Sequence, residues 1–129
     1  MKKYIIFLII SLLGLYAFDS LNDKKEGPPS IESVKGAELY GNEDYIFLDV
    51  RTEEEHRLKA IPNTPVFPVQ ELEARIDELK KYKDKKIIVY CRSGNRSRKG
   101  TDILIEHGYD AVNLLGGMNQ WKGPITSSE

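Results

Sequence analysis

The chain has 129 residues, 40% of them hydrophobic and 30% charged, with 10 glycines and 6 prolines. Those proportions suit a globular domain and exclude collagen-like and disordered chains. The formal net charge is −1, so there is no basic field for nucleic acid, and any anion must be held by a local site.

Lys2 and Lys3 precede an apolar run over residues 4–18, softened only by Ser11 and Gly14. Lysines ahead of such a run open an export signal. As a helix, the run is about 22 Å long, against a hydrocarbon core of ~30 Å. Spanning therefore needs Leu21 and snorkelling lysines. Residues 1–21 read as a signal peptide or membrane anchor, retained through residues 4–18 or cleaved near Ala17, where bulky Leu15 weakens the cleavage pattern. The lysines hold the N-terminus inside, which places the rest of the chain on the periplasmic or cell-surface side. Residues 22–30 are polar, broken by Gly27-Pro28-Pro29, and read as a linker. The domain is expected over residues 31–125, with 126–129 as a C-terminal tail.

Within the domain, residues 33–40 suggest a short helix ending at Gly41. Residues 45–50 are nearly all apolar, as in a strand buried on both faces of a parallel sheet. Thr52 with Glu53, Glu54 and Glu55 opens a short helix as N-cap and acidic first turn. Val66 and Phe67 suggest a brief strand between Pro65 and Pro68. Val69, Leu72, Ile76 and Leu79 follow at helical spacing. Residues 87–90 form another buried strand, residues 97–107 a helix ended by Gly108, and residues 111–115 a further strand. Gly116-Gly117 then turns into a short helix over residues 118–121. Ile103 and Leu104 are expected to face inward, and Gly100 to allow close approach to the sheet. The alternation gives an α/β fold, an open parallel sheet flanked by helices on both faces.

Cys91 is the only cysteine. It cannot close an internal disulfide, and with two histidines it is too little for a structural zinc site. No metal or cofactor is called for. Cys91-Arg92-Ser93-Gly94-Asn95-Arg96-Ser97 lies between a buried strand and a helix, at the strand end where open parallel sheets bind ligands. Gly94 and Asn95 tolerate the positive φ angles of a loop whose amides converge. The helix dipole and Arg92, Arg96 and Arg98 add positive potential, which favours the nucleophilic thiolate.

This loop resembles the active-site loop of the rhodanese family. The resemblance continues through Leu48-Asp49-Val50-Arg51, Ile61-Pro62, Leu115-Gly116-Gly117-Met118 and Trp121, covering about residues 31–122. It implies a sulfurtransferase in which Cys91 carries sulfur as a persulfide. Residues 92–97 would form the substrate loop, with Arg92 gripping the sulfonate end of a donor and Arg96 doing the same or bracing the loop. The implied partners are thiosulfate or another sulfane donor, and a cyanide or thiol acceptor, including a protein thiol. The alternative is a persulfide carrier that serves a protein partner with little thiosulfate turnover. A thiol redox role lacks a second, resolving cysteine. Cysteine-dependent phosphatases, including the cell-cycle ones that resemble rhodaneses in fold, place arginine six residues after the cysteine, where this chain has Ser97.

Asp49 and Arg51 are expected as structural support, Asp49 bracing the neighbouring loop and Arg51 paired with Glu54 or Glu55. His56 and His107 read as surface or helix-end residues, and Trp121 as a core anchor. Lys59-Ala60 and Asn63-Thr64-Pro65 depart from the family's usual Gly-His and Gly-Ala, on a segment that contributes to the rim of the site.

Overall fold

Strands this apolar cannot leave one face in water, and they pair as the middle of a parallel sheet. The computed structural model describes residues 26–128. The export segment, and with it the choice between anchor and signal peptide, lies outside those residues. Among them, no helix is long and apolar enough to cross a membrane.

Strands β1 (Ser30–Glu32), β2 (Tyr45–Asp49), β4 (Lys86–Tyr90) and β5 (Asp110–Leu115) form a parallel sheet in the order β1-β5-β4-β2. A second, antiparallel pair joins β3 (Lys59–Ala60) to β6 (Thr126–Ser127). The helices are α1 (Ser33–Leu39), α2 (Glu53–Leu58), α3 (Val69–Leu72), α4 (Asn95–Glu106) and α5 (Gly117–Gln120), with a 3₁₀ helix over Ile76–Tyr82.

The two-residue pleat of β4 divides the core. Ile87, Val89 and Cys91 pack with Leu72, Leu79 and Leu104, beneath α3, the 3₁₀ helix and α4. Ile88 and Tyr90 pack on the other side with Phe47, Leu114 and Trp121, on the side of α1 and α5. Trp121 is the expected anchor, edge-on to Phe47 with ring centroids 5.4 Å apart. The sheet covered on both faces is therefore the fold that the alternation predicts.

Several elements differ from the sequence reading. Ser30, placed in the linker, begins β1, and the Asn113 amide donates to Pro29 O at 2.8 Å. Residues 126 and 127, set aside as a tail, form β6. Val66 makes one parallel bridge to Asp49 rather than a strand with Phe67. Its proline neighbours supply no N–H to extend a ladder. The expected helix from Val69 to Leu79 is split. The 3₁₀ period of three residues puts Ile76, Leu79 and Tyr82 on one side, and all three pack against the core. α4 starts at Asn95, two residues earlier than expected. Its Leu104 is fully buried and Ile103 partly so, while a Cβ on Gly100 would stand 3.3 Å from Val50. β5 ends with Leu115, 43% exposed, rather than buried.

α5 is locked onto the loop that follows β4. The Met118 amide donates to Cys91 O at 2.9 Å and the Asn119 amide to Arg92 O at 3.0 Å. That approach needs glycine at 117, because a Cβ there would overlap the Cys91 carbonyl oxygen and come within 2.9 Å of the Arg92 carbonyl. Gly117→Ala should therefore destabilise the domain by about 3 kcal/mol, since backbone rather than a flexible side chain must move. Urea unfolding measures it, and an unchanged midpoint would refute the packing argument.

Candidate active site

β4 delivers Cys91 to the carboxyl end of the sheet, 1% exposed. The chain then reverses through Arg92, Ser93 and Gly94 into α4. Gly94 holds φ at +106° as the N-cap of α4, a conformation open to glycine and costly for other residues. Asn95 is the first helical residue and does not share the positive φ; a single inversion at Gly94 suffices to turn the amides inward.

The Gly94 amide donates to Cys91 Sγ at 3.0 Å, and Ser97 Oγ lies 3.3 Å from the same sulfur. Burial pushes the Cys91 thiol up. The Ser97 hydroxyl and the amides of Ser97, Gly94 and Ser93 more than offset this, and the net shift is downward. The largest lowering causes are thus hydroxyl and amides, not the arginines that the sequence places nearby. Arg96 does sense the Cys91 charge, but its guanidinium is turned to Glu55, with Nη1 and Nη2 at 2.7 and 2.9 Å from the two carboxylate oxygens. It braces the loop. Arg98 lies apart from the sulfur, lining a hollow with Gly27, Pro28 and Ser30.

Asp49 and Arg51 form a buried pair beside the loop. Arg51 Nη2 donates to Asp49 Oδ2 at 2.7 Å and to Lys59 O at 2.7 Å, and Arg51 Nε donates to Asp49 Oδ1 at 3.0 Å. The expected pairing of Arg51 with Glu54 or Glu55 is incorrect. Glu54 takes Arg57 at 2.7 Å, and Glu55 is drawn to Arg96. Asp49 wins Arg51 because both are buried, where an unpaired charge is most costly. His56 is more than a surface residue, since its Nδ1 lies 2.8 Å from Asp49 Oδ2. His107 is the C-cap of α4, as a helix-end residue should be.

Arg92 and Ser93 are exposed. Arg92 borders an open cavity of about 320 Å³ with Arg51, Glu55, Leu58, Lys59 and Met118. The departing residues Lys59 and Ala60 therefore form β3 at this rim. In the second departure, Asn63 takes a left-handed φ of 59°, which asparagine tolerates. Thr64 Oγ1 donates to Ile61 O at 2.8 Å.

Sequence reasoning missed Asn113. Buried on β5, its Oδ1 accepts from Ser97 Oγ at 2.6 Å and its Nδ2 donates to Gly94 O at 3.1 Å. The available signal was a lone amide in an otherwise apolar strand, level with the cysteine loop. The partnership of Glu55 with Arg96 spans 41 residues and left no local trace.

A doubly covered parallel sheet, with a buried thiol cupped by amides between a strand and a helix, defines a cysteine-centred transfer or binding domain. Comparison with known proteins gives the family. The rhodanese-like domain family matches residues 35–124. A sulfurtransferase from Allochromatium vinosum is 36% identical over 84 residues, covering 64% of this chain and 77% of that protein. The adenylyltransferase and sulfurtransferase UBA4 of Candida albicans is 29% identical over 122 residues, 88% of this chain, but the chain spans only 27% of its length. Among solved structures, a rhodanese-like domain protein from Staphylococcus aureus superposes with a TM-score of 0.68 at 28% identity, covering 78% of this chain and 99% of that one. The chain belongs to the rhodanese-like family.

Glu55 serves two ends of the site. It completes a capping box with Thr52 at the start of α2 and binds Arg96 of the loop. Chiefly through Arg96, its pKa is held down at about 2. A depressed carboxyl stabilises the fold above its unfolded pKa and loses that contribution as pH falls through the folded value. The pair is about one-third exposed, Arg96 35% and Glu55 31%, so solvent screens it. Glu55→Gln should cost about 1 kcal/mol at neutral pH. The gap from wild type should close between pH ~5 and ~2. Denaturant titrations at several pH values measure this, and a gap that persists at the lowest pH would contradict it.

Proposed function

We propose that the chain is a rhodanese-type sulfurtransferase that moves a sulfane sulfur from thiosulfate or a related donor to a thiophilic acceptor through a persulfide on Cys91. The observation that carries the reading is the Cys91 sulfur itself, buried yet met by the Gly94 amide at 3.0 Å and the Ser97 hydroxyl at 3.3 Å. Those donors favour a thiolate, the form that attacks sulfur.

In the first step the Cys91 thiolate attacks the outer sulfur of thiosulfate. The new Sγ–S bond forms as the donor's S–S bond breaks, and sulfite leaves with that electron pair. The loop amides then face an anionic persulfide, in the manner of an oxyanion hole. In the second step a nucleophilic acceptor, cyanide or a thiolate, takes the outer sulfur and the bonding pair returns to Cys91. Arg92 is suited to the sulfonate end of the donor, because planar guanidinium matches such oxyanions. Among the described residues it is the loop arginine with no carboxylate partner, and it borders the cavity.

Incubating the domain with thiosulfate and weighing it intact tests the first step. A gain of one sulfur atom is expected for wild type, and none for Cys91→Ser, whose hydroxyl stays protonated. Sulfur uptake by the serine variant would move the chemistry elsewhere. Persulfide formation followed by slow release to cyanide, but fast release to a protein thiol, would favour the carrier alternative.

The N-terminal segment supports an extracytoplasmic location within the same proposal, with Lys2 and Lys3 held inside. Protease added to intact cells, or to spheroplasts where there is an outer membrane, should then digest the domain. A protected domain would refute export. A carbonate-resistant membrane pellet distinguishes an anchor through residues 4–18 from cleavage near Ala17.

A further inference from the structure

Ser97 has one hydroxyl proton and two neighbours that accept it. Its Oγ lies 2.6 Å from Asn113 Oδ1 and 3.3 Å from Cys91 Sγ. The Asn113 amide cannot turn over, because its Nδ2 donates to Gly94 O at 3.1 Å. A reversed amide would oppose two oxygens there. The backbone beneath is equally fixed, with Asn113 paired to Ser30 on one side and Val89 on the other. Oδ1 therefore always faces Ser97, and it can only accept.

While Cys91 is a thiol, both partners are satisfied. The S–H donates to Ser97 Oγ, and the Ser97 O–H donates to Asn113 Oδ1. Loss of the thiol proton breaks this arrangement. A thiolate is an acceptor only, and its charge draws the Ser97 hydroxyl more strongly than a neutral amide oxygen does. If the hydroxyl turns to sulfur, Asn113 Oδ1 loses its donor in a site where Asn113 is 4% exposed and Ser97 0%. An unsatisfied buried acceptor is unfavourable. Asn113 thus competes with the thiolate for one proton.

We propose that Asn113 is a positioning residue that acts on Cys91 through Ser97, withholding part of the hydroxyl's support from the bare thiolate. On the reading that Cys91 carries persulfide sulfur, the competition has a use. Addition of sulfur moves the negative charge to the outer atom and leaves Sγ a weak acceptor. The Ser97 hydroxyl then returns to Asn113. The pair therefore disfavours the thiolate relative to the sulfur-loaded state, and keeps the thiolate more nucleophilic than a fully solvated one.

The test is the pH midpoint of Cys91 alkylation by neutral iodoacetamide in the full chain. The wild-type midpoint should lie below the ~8.5 of a free cysteine. Asn113→Leu, similar in size but unable to accept, should lower it further by about one pH unit. Asn113→Asp keeps an oxygen on Ser97 and adds charge, and should raise it. In a Ser97→Ala background, Asn113→Leu should produce no fall. A midpoint unchanged or raised by Asn113→Leu, or an equal fall without the Ser97 hydroxyl, would overturn the proposal. Should the leucine variant fail to fold, a fall in the aspartate variant would overturn it as well. Alkylation needs no sulfur donor, so the two readings fail separately. These shifts without sulfur uptake would sink the transferase reading, and sulfur uptake without the shifts would sink only the role of Asn113.

Discussion

The structure is organised around burying the Cys91 sulfur among hydrogen-bond donors, with the nearby Arg96 turned to a carboxylate instead. A buried thiol ordinarily ionises less readily than a free one, because burial penalises the charged form. Here the Gly94 amide and Ser97 hydroxyl reverse that tendency. Amides converge on one atom only if the chain turns sharply, and the turn needs Gly94 at φ +106°. The turn in turn must be held from outside. α5 caps the Cys91 and Arg92 carbonyls, the Asn113 side chain ties Gly94 to Ser97, and β4 anchors the cysteine in the centre of the sheet.

Arginines matter to this site mainly through the carboxylates they satisfy. Arg51 is folded onto Asp49, and Arg96 onto Glu55. Each pair ties the segment after β2 to something else, Arg51 reaching the Lys59 carbonyl and Arg96 the cysteine loop. His56 adds a third contact to Asp49 from the last turn of α2. With those charges spent internally, the cations left at the cavity are Arg92 and Lys59, both exposed. A rim cation adds little stability but steers an incoming anion. The division therefore separates residues that build the cup from residues available to meet a ligand.

The parts of this arrangement legible in the sequence are those written in local pattern. Continuous apolar runs marked β2, β4 and β5, Thr52 with the acids after it marked the start of α2, and Cys91 to Ser97 marked the loop. What escaped was long-range pairing. β1 consists of three residues in a polar stretch and exists because the edge of β5 accepts it. β6 is a two-residue strand whose only signal is its partner β3. Arg51 has four acids within four residues, and burial rather than spacing selected Asp49. Asn113 is an amide in a buried strand, tolerable there because Gly94 and Ser97 supply its partners.

Loop length also follows from these contacts. The sixth residue after Cys91 is Ser97, fully buried, with its hydroxyl between sulfur and Asn113. An arginine at that position would have to bury a guanidinium where α4 meets β5, in place of the hydroxyl that Asn113 and Cys91 share. The arginine one residue earlier emerges on the exposed side of α4 and is claimed by Glu55. The cup as built therefore presents amides and a hydroxyl to the Cys91 sulfur, while the Arg96 guanidinium is held outside it by Glu55.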